Sequence, residues 1–307
     1  MWELSLGQYD LYFILYNLLI YSFLGWIYES TFVSIKSKTV INRGFLNGPL
    51  IPIYGFGATL VYLLLAPFKS RYLLIFVLSI VIATVLEFLT SYLLEKIFHA
   101  IWWDYSKFKY NIQGRVCVAV SLFWGGLSLI MLYGMQPIIT NIIDGIPRNY
   151  GEKIGYIFIF GIIADLILTV VSTIHMDKML SGMQKLREEL SQYLEGTRLY
   201  GTKEEVLSKI SNLKIGDMAQ SFKSIIDDYM DRFDKKTDKK EGVNPAVSVD
   251  DMESRFKSFL LKYQLIINTT KLINKRILKA FPNFKSIDHE YPLKDVKDKM
   301  FKNRKNK

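Results

Sequence analysis

Five long apolar runs set the terms for this chain, at residues 11–35, 49–68, 73–94, 116–139 and 154–174. A helix needs about 20 mainly apolar residues to cross a hydrocarbon core of roughly 30 Å. Backbone amides and carbonyls find no water there, so a spanning segment must satisfy them itself, as a helix, or in a closed barrel. None of the five runs shows the strict alternation of a barrel strand. The sequence therefore predicts an all-α polytopic membrane protein with about five transmembrane helices in residues 1–176. The second run begins GPLIPIYGFGA, whose two prolines and three glycines predict an irregular or re-entrant lead-in before the helix settles at Thr59.

Charge is distributed very unevenly. Residues 1–176 carry 11 Lys/Arg against 9 Asp/Glu, whereas residues 177–307 carry 28 against 20, so most of the net +10 lies in the tail. Loop charges then predict orientation. With the N-terminus outside, the cytoplasmic first loop holds Lys36, Lys38 and Arg43, and the third holds Lys96, Lys107, Lys109 and Arg115. The external loops hold Lys69 and Arg71, then Arg148 and Lys153. The expected location is the plasma membrane, multi-pass, with N-terminus outside and C-terminus cytoplasmic. A basic tail beside a membrane domain points to anionic lipid headgroups rather than nucleic acid. The acidic start MWELSLGQYD lacks Lys and Arg and makes a poor secretory n-region, so the first apolar run is expected to remain in the mature protein.

The tail reads as a cytoplasmic helical region, hairpin or coiled-coil-like, over residues 177–281. Met179, Met183, Leu186 and Leu190 recur at helical spacing. A second amphipathic helix is expected over 203–233, a polar linker over 234–245 and a third helix over 247–281. Residues 282–307 are basic and expected to be disordered.

Several polar groups fall at similar predicted depth. Glu29 lies near the inner end of the first span, and Glu87 about two turns from the inner end of the third. Arg43, Asn47 and Tyr54 come from the first loop and the second run; Asp104, Tyr105, Asn111, Arg115 and Trp124 come from WWDYSKFKYNIQGRVCVAVSLFWGG. A carboxylate in hydrocarbon pairs or faces a wet cavity, because leaving it alone costs several kcal/mol. Arg43 and Arg115 are the cations at matching depth, so a ligand-binding or structural polar cluster is expected, with Arg115 meeting Glu87 or Glu29. Trp102, Trp103 and Tyr105 read as an interfacial aromatic belt. Asp165, in GIIADLILTV, is a separate intramembrane acid and a site candidate in its own right.

No HExxH, CxxC or acid-rich metal loop occurs, so no metal or other cofactor is expected. There is no GxSxG and no GxxxxGK[ST], so a nucleophile elbow and a P-loop ATPase are excluded, no catalytic residue is assigned, and the reading leans away from an enzyme. The lone Cys117 allows no disulfide within these residues.

The ordered motifs GWIYES, NRGFLNGPLIPIYGFGA, LEFLTSYLLEKIFHAIWWDYS and NIQGRVCVAVSLFWGGL resemble the bacterial ABC-transporter type IV membrane family, the CmpB-like proteins frequent in Firmicutes. The resemblance covers roughly residues 10–180, and RILKAFPNFKS is similar to extensions of some members. It implies a permease-like subunit whose ATPase, lacking here, is a separate chain. Five spans are few for a complete transporter, so an ATPase subunit or a homo-oligomer is the expected protein partner, besides the bilayer. Two alternatives stand beside this reading: a scaffold or sensor recruiting a cytoplasmic partner through the tail, and an intramembrane enzyme acting on lipid.

Overall fold

The structure is a computed structural model that describes residues 2–196, 224, 227, 249–268, 273–289, 292–294 and 296–297. The predicted helix 203–233 and linker 234–245 lie outside the described residues, apart from isolated positions. The described residues divide into two compact units: Met1–Thr173 with Arg276–Lys285, and Ile174–Lys275 with Ser286–Lys307.

The first unit is a helical bundle. Helix α1 (Leu11–Ser37) starts where the Asp10 carboxylate accepts the Phe13 N–H at 2.8 Å, and stops at Lys38, whose φ of 52° closes it in a left-handed cap. Helix α2 (Pro52–Leu65) starts on a proline, which loses nothing in a first turn where its missing N–H has no partner anyway. The helix is thus already formed across IYGFG, and the irregular lead-in expected to reach Thr59 ends at Ile51. Helix α3 (Tyr72–Phe98) ends at His99, again left-handed. Helices α4 (Val118–Ile130) and α5 (Gln136–Asp144) run on through a π-helical turn at Met131–Met135. That wide turn lies just before Pro137, whose ring and missing N–H cannot continue an ordinary ladder. Helix α6 is Arg148–Gly196.

Four helices are long and apolar enough to cross a membrane: Leu11–Ser37, Tyr72–Phe98, Val118–Asp144 and Arg148–Gly196. The fifth expected span is the shorter apolar helix Pro52–Phe68. Val77, Val81, Val85 and Leu89 on α3 are exposed at four-residue spacing, a stripe that suits lipid and not water. Because the chain alternates direction, α1 and α3 end, and α2 and α4 begin, at one rim. The loops 38–51 and 99–117 cap that rim.

Two devices hold the helices together. Close approach is the first: a Cβ on Gly25 would sit 2.4 Å from the Tyr54 ring, and one on Gly55 would sit 2.3 Å from the Leu18 carbonyl. Small residues therefore let α1 and α2 meet backbone to backbone, as membrane helices require when hydrophobic burial gives no drive to associate. The second is a buried polar network. Asn17 Nδ2 donates to Thr59 Oγ1 (3.1 Å), Gln136 Nε2 to Asn17 Oδ1 (2.9 Å) and the Tyr21 hydroxyl to Gln136 Oε1 (2.9 Å). Asn17 and Gln136 are 0% and 1% exposed, so α1, α2 and α5 are tied deep in the bundle.

The second unit pairs α6 beyond Ile174 with α7 (Val249–Asn268). The pair is antiparallel: Gly182 lies against Ile266, Glu189 bonds Lys262 at 3.2 Å, and Tyr193 meets Phe256. Met179, Met183, Leu186 and Leu190 are buried along it, as their spacing predicts. The third predicted helix, 247–281, is described as α7 and α8 (Ile273–Ala280), with residues 269–272 outside the described set. The expectation of disorder over 282–307 meets an exception in the first unit, because Phe284 packs edge-on to Trp102 at 5.3 Å, beside Phe281 at 4.8 Å. Composition averaged over residues 282–307, which carry eight Lys/Arg, hides an aromatic that has a pocket to fill.

Candidate functional site

Six of the polar residues singled out from sequence converge near the capped rim. The Glu29 carboxylate on α1 accepts the Tyr54 hydroxyl at 2.9 Å and lies 3.4 Å from Arg43 Nε. Arg43 is positioned by its own N–H, which donates to Ser30 Oγ, and by the Phe281 ring, 4.4 Å from its guanidinium. The Glu87 carboxyl on α3 accepts the Tyr105 hydroxyl at 3.1 Å. The rings of Tyr54 and Trp124 meet edge-on at 5.3 Å and join the two acids into one cluster. Tyr105 reaches inward from the loop 99–117; burial, reinforced by the Glu87 carboxyl, raises its phenol above the ordinary range, so it remains a hydrogen-bond donor.

Glu87 is the outlier in this cluster. It is 6% exposed, and no donor among the described residues meets hydrogen-bond geometry at its second oxygen, Oε2, although the Trp124 indole lies beside the carboxyl. The same carboxyl lines a cavity of about 630 Å³ between the α1–α2 and α3–α4 pairs. The cavity follows α1 from Ile35 to Tyr21 and reaches Met131 and Met135 at the π turn. At 1.5 Å per residue it is about 21 Å long. Tyr28, Tyr54 and Trp124 stand with Glu87 around its polar part, and most of the remaining wall is aliphatic.

The other predicted residues go elsewhere. Arg115 does not meet Glu87 or Glu29: it pairs with Glu95 at 2.7 Å and lies over the Phe88 and Tyr92 rings. The loop 99–117 returns along the end of α3, so its arginine meets the last turns first, and Glu87 lies two turns deeper. Trp102 is not part of an interfacial belt; it is 3% exposed, packed among Phe45, Phe98, Phe281 and Phe284. The Trp103 indole donates to the Arg115 carbonyl, and the Asn111 side chain shapes the loop 99–117 through the Phe108 carbonyl and the Gly114 N–H. Asp104 binds Lys285 at 2.5 Å, and that ammonium, with the Ser106 N–H, holds its carboxyl down at about 2.

Asp165 and Asn47 form a second constellation. Asp165 accepts the Asn47 N–H (3.0 Å), the Asn47 side-chain amide (2.8 Å) and the Gly48 N–H (2.7 Å). Arg276 donates to the carbonyls of Gly44, Phe45 and Leu46 in the same loop at 2.8–2.9 Å. One acid takes the loop's amides and one base supplies its carbonyls, which lets an irregular segment sit against apolar helices without unpaired backbone. Asp165 is therefore a loop-binding acid; its sequence position, mid-run, does not reveal that α6 starts six residues before the run and brings it close to the capped rim.

The network of Asn17, Thr59, Gln136 and Tyr21 went unpredicted. The available signal was an amide inside each of two apolar runs, YNLLI and GMQPI, where a polar side chain needs an interhelical partner.

Membrane-length helices, lipid-facing apolar stripes and polar groups satisfied inside the bundle define a polytopic all-helical membrane protein. The chain belongs to the family described as "Putative ABC-transporter type IV", which matches residues 16–170. No curated protein and no solved structure matches it.

Proposed function

We propose that this chain is a permease-type membrane subunit of an ABC transporter and that the cavity between the α1–α2 and α3–α4 pairs holds an amphiphilic cargo. The observation that carries the reading is the cavity itself. Its length exceeds one leaflet's share, about half, of a roughly 30 Å hydrocarbon core, and a single carboxyl, that of Glu87, lines it among the described residues. Transporter sites characteristically lie deep in the bundle with a few polar groups set in apolar walls. The family description and the lack of a P-loop in this sequence support a separate ATPase chain as partner. Positive loop charge supports an outside N-terminus and a cytoplasmic capped rim, which puts Glu29, Arg43 and Glu87 on the cytoplasmic side and the basic tail near anionic headgroups. A reporter fused at Lys307 tests the orientation and is expected to report inside.

The test of the transport reading is affinity purification of the full chain from native membranes, followed by reconstitution. A nucleotide-binding subunit is expected to copurify, and ATP is expected to drive movement of a membrane amphiphile in the reconstituted vesicles. Recovery of the chain without such a subunit, together with no effect of nucleotide, overturns it. The antiparallel pair α6–α7 favours a second reading, a scaffold that recruits a soluble partner. Deleting residues 181–275 separates the two, since the scaffold loses function and the permease retains its cargo site.

A further inference from the structure

The cavity's lining restricts the chemistry of its occupant further, an inference that rests on the amphiphile-binding reading above. Among the described residues no lysine or arginine lines the cavity, and its one ionisable acid is Glu87. The nearest predicted cations are engaged elsewhere, Arg43 with Glu29 and Arg115 with Glu95. An anionic headgroup would therefore meet a buried carboxyl with no countercharge in reach. The opposite charge is well served. The Glu87 carboxyl lines the cavity together with the Tyr28, Tyr54 and Trp124 rings, the combination of carboxylate and aromatic rings that favours an ammonium group. The tail requirement is equally specific. From Gly25 to Tyr21 on α1, and from Leu127 to Met135 opposite, the lining is apolar apart from Ser128 and the Tyr21 hydroxyl, which is already bonded to Gln136. The two methionines at the π turn give a soft, adaptable floor for a flexible hydrocarbon chain.

We propose that the cavity binds a long-chain amine or alkylammonium amphiphile, its cationic head beside the Glu87 carboxyl and the Trp124 and Tyr54 rings, and its single chain lying along α1 toward Met135. Two different headgroup chemistries share this description, a primary amine, which donates a hydrogen bond to the carboxyl, and a quaternary ammonium, which binds by charge and ring faces alone. Competition distinguishes them.

The experiment uses the full chain in nanodiscs of zwitterionic phosphatidylcholine and tritiated hexadecyltrimethylammonium as the probe. Saturable binding is expected, displaced by unlabelled hexadecylamine and not by hexadecanol or hexadecyl sulfate. Stronger displacement by the amine assigns hydrogen bonding to the carboxyl, and equal or weaker displacement assigns charge and rings. E87Q is expected to weaken probe binding about tenfold or more, equivalent to about 1.4 kcal/mol. Should E87Q fail to fold, the wild-type competition decides alone. Displacement by hexadecanol or the sulfate as readily as by the amine, or unchanged probe binding in a folded E87Q, overturns the headgroup assignment and leaves the amphiphile cavity standing. If no long-chain compound of any charge binds saturably, the amphiphile reading falls with it.

Discussion

Replacing Gln136 by leucine is the sharpest probe of what holds this bundle together. The side chain makes three contacts: it accepts from Tyr21 at 2.9 Å, donates to Asn17 at 2.9 Å and lies 3.4 Å from Thr140 Oγ1. Interhelical hydrogen bonds in membranes average about 0.6 kcal/mol and reach about 1.7. Three therefore give about 2 kcal/mol, and the long Thr140 contact belongs at the low end. Two effects adjust the figure in opposite directions. Leucine removes the partner of Asn17 Oδ1, a buried acceptor whose orphaning costs about 1–3 kcal/mol, while its methyls recover some packing. A loss of about 2 kcal/mol remains the expectation. The assay is reversible unfolding of the purified chain in mixed dodecylmaltoside and SDS micelles, followed by far-ultraviolet circular dichroism. A cycle with Asn17→Leu isolates the Asn17–Gln136 bond, with an expected coupling of about 0.6–1.7 kcal/mol. If Gln136→Leu is as stable as the natural chain, or the coupling vanishes, the network is incidental and the bundle is held by packing alone.

Three further outcomes follow from the geometry. Gly25→Ala places a Cβ against the Tyr54 ring, 2.4 Å away, and is expected to destabilise by about 1–3 kcal/mol in the same micelle assay, because α1 and α2 must separate or Tyr54 must leave Glu29. Arg276→Met strips the charged donor from three loop carbonyls and is expected to free the segment 276–285, read as faster protease cleavage there with the bundle intact; each lost bond is worth about 1.5–3 kcal/mol before subtracting the cost of burying the guanidinium. The Asp104–Lys285 pair sets a pH window: Asp104 is depressed to about 2 from an unfolded value near 3.9, so its contribution is full above roughly pH 4 and fades as pH falls toward 2. Thermal melts across that range are expected to show a weaker dependence in Lys285→Ala, where the Ser106 N–H still holds the carboxylate.

The membrane class was legible because spanning segments obey a length and a polarity rule that no tertiary contact can override. Predicted depth named Arg43 and Arg115 as the candidate cations without assigning Arg43 a partner, and Arg43 meets Glu29. It failed for Arg115, since residues at one depth lie all around a bundle and helix rotation decides which of them meet. Glu95, with the rings of Phe88 and Tyr92 beside it, faces the returning loop. The cavity was invisible for a related reason: it is space left between four helices, and no single residue pattern encodes a gap. Asn17 and Gln136 left a readable trace, but each looks like an isolated blemish until its partner, 119 residues away, is known. Phe284 was masked by the lysines around it, because composition averages over neighbours while burial depends on individual side chains.

The loop clasped by Asp165 and Arg276 has a bearing on biogenesis. Its carbonyls at 44–46 wait for a guanidinium 230 residues further along the chain. At about 5–20 residues per second, the ribosome delivers that arginine roughly 10–50 s after the loop has been made. During that interval the first two spans are in place with a polar seam still open to water or lipid. The membrane unit thus finishes only once Arg276 has been made, so a truncation before it, well outside the apolar runs, would strand a half-closed bundle, the kind of intermediate that membrane quality-control proteases remove.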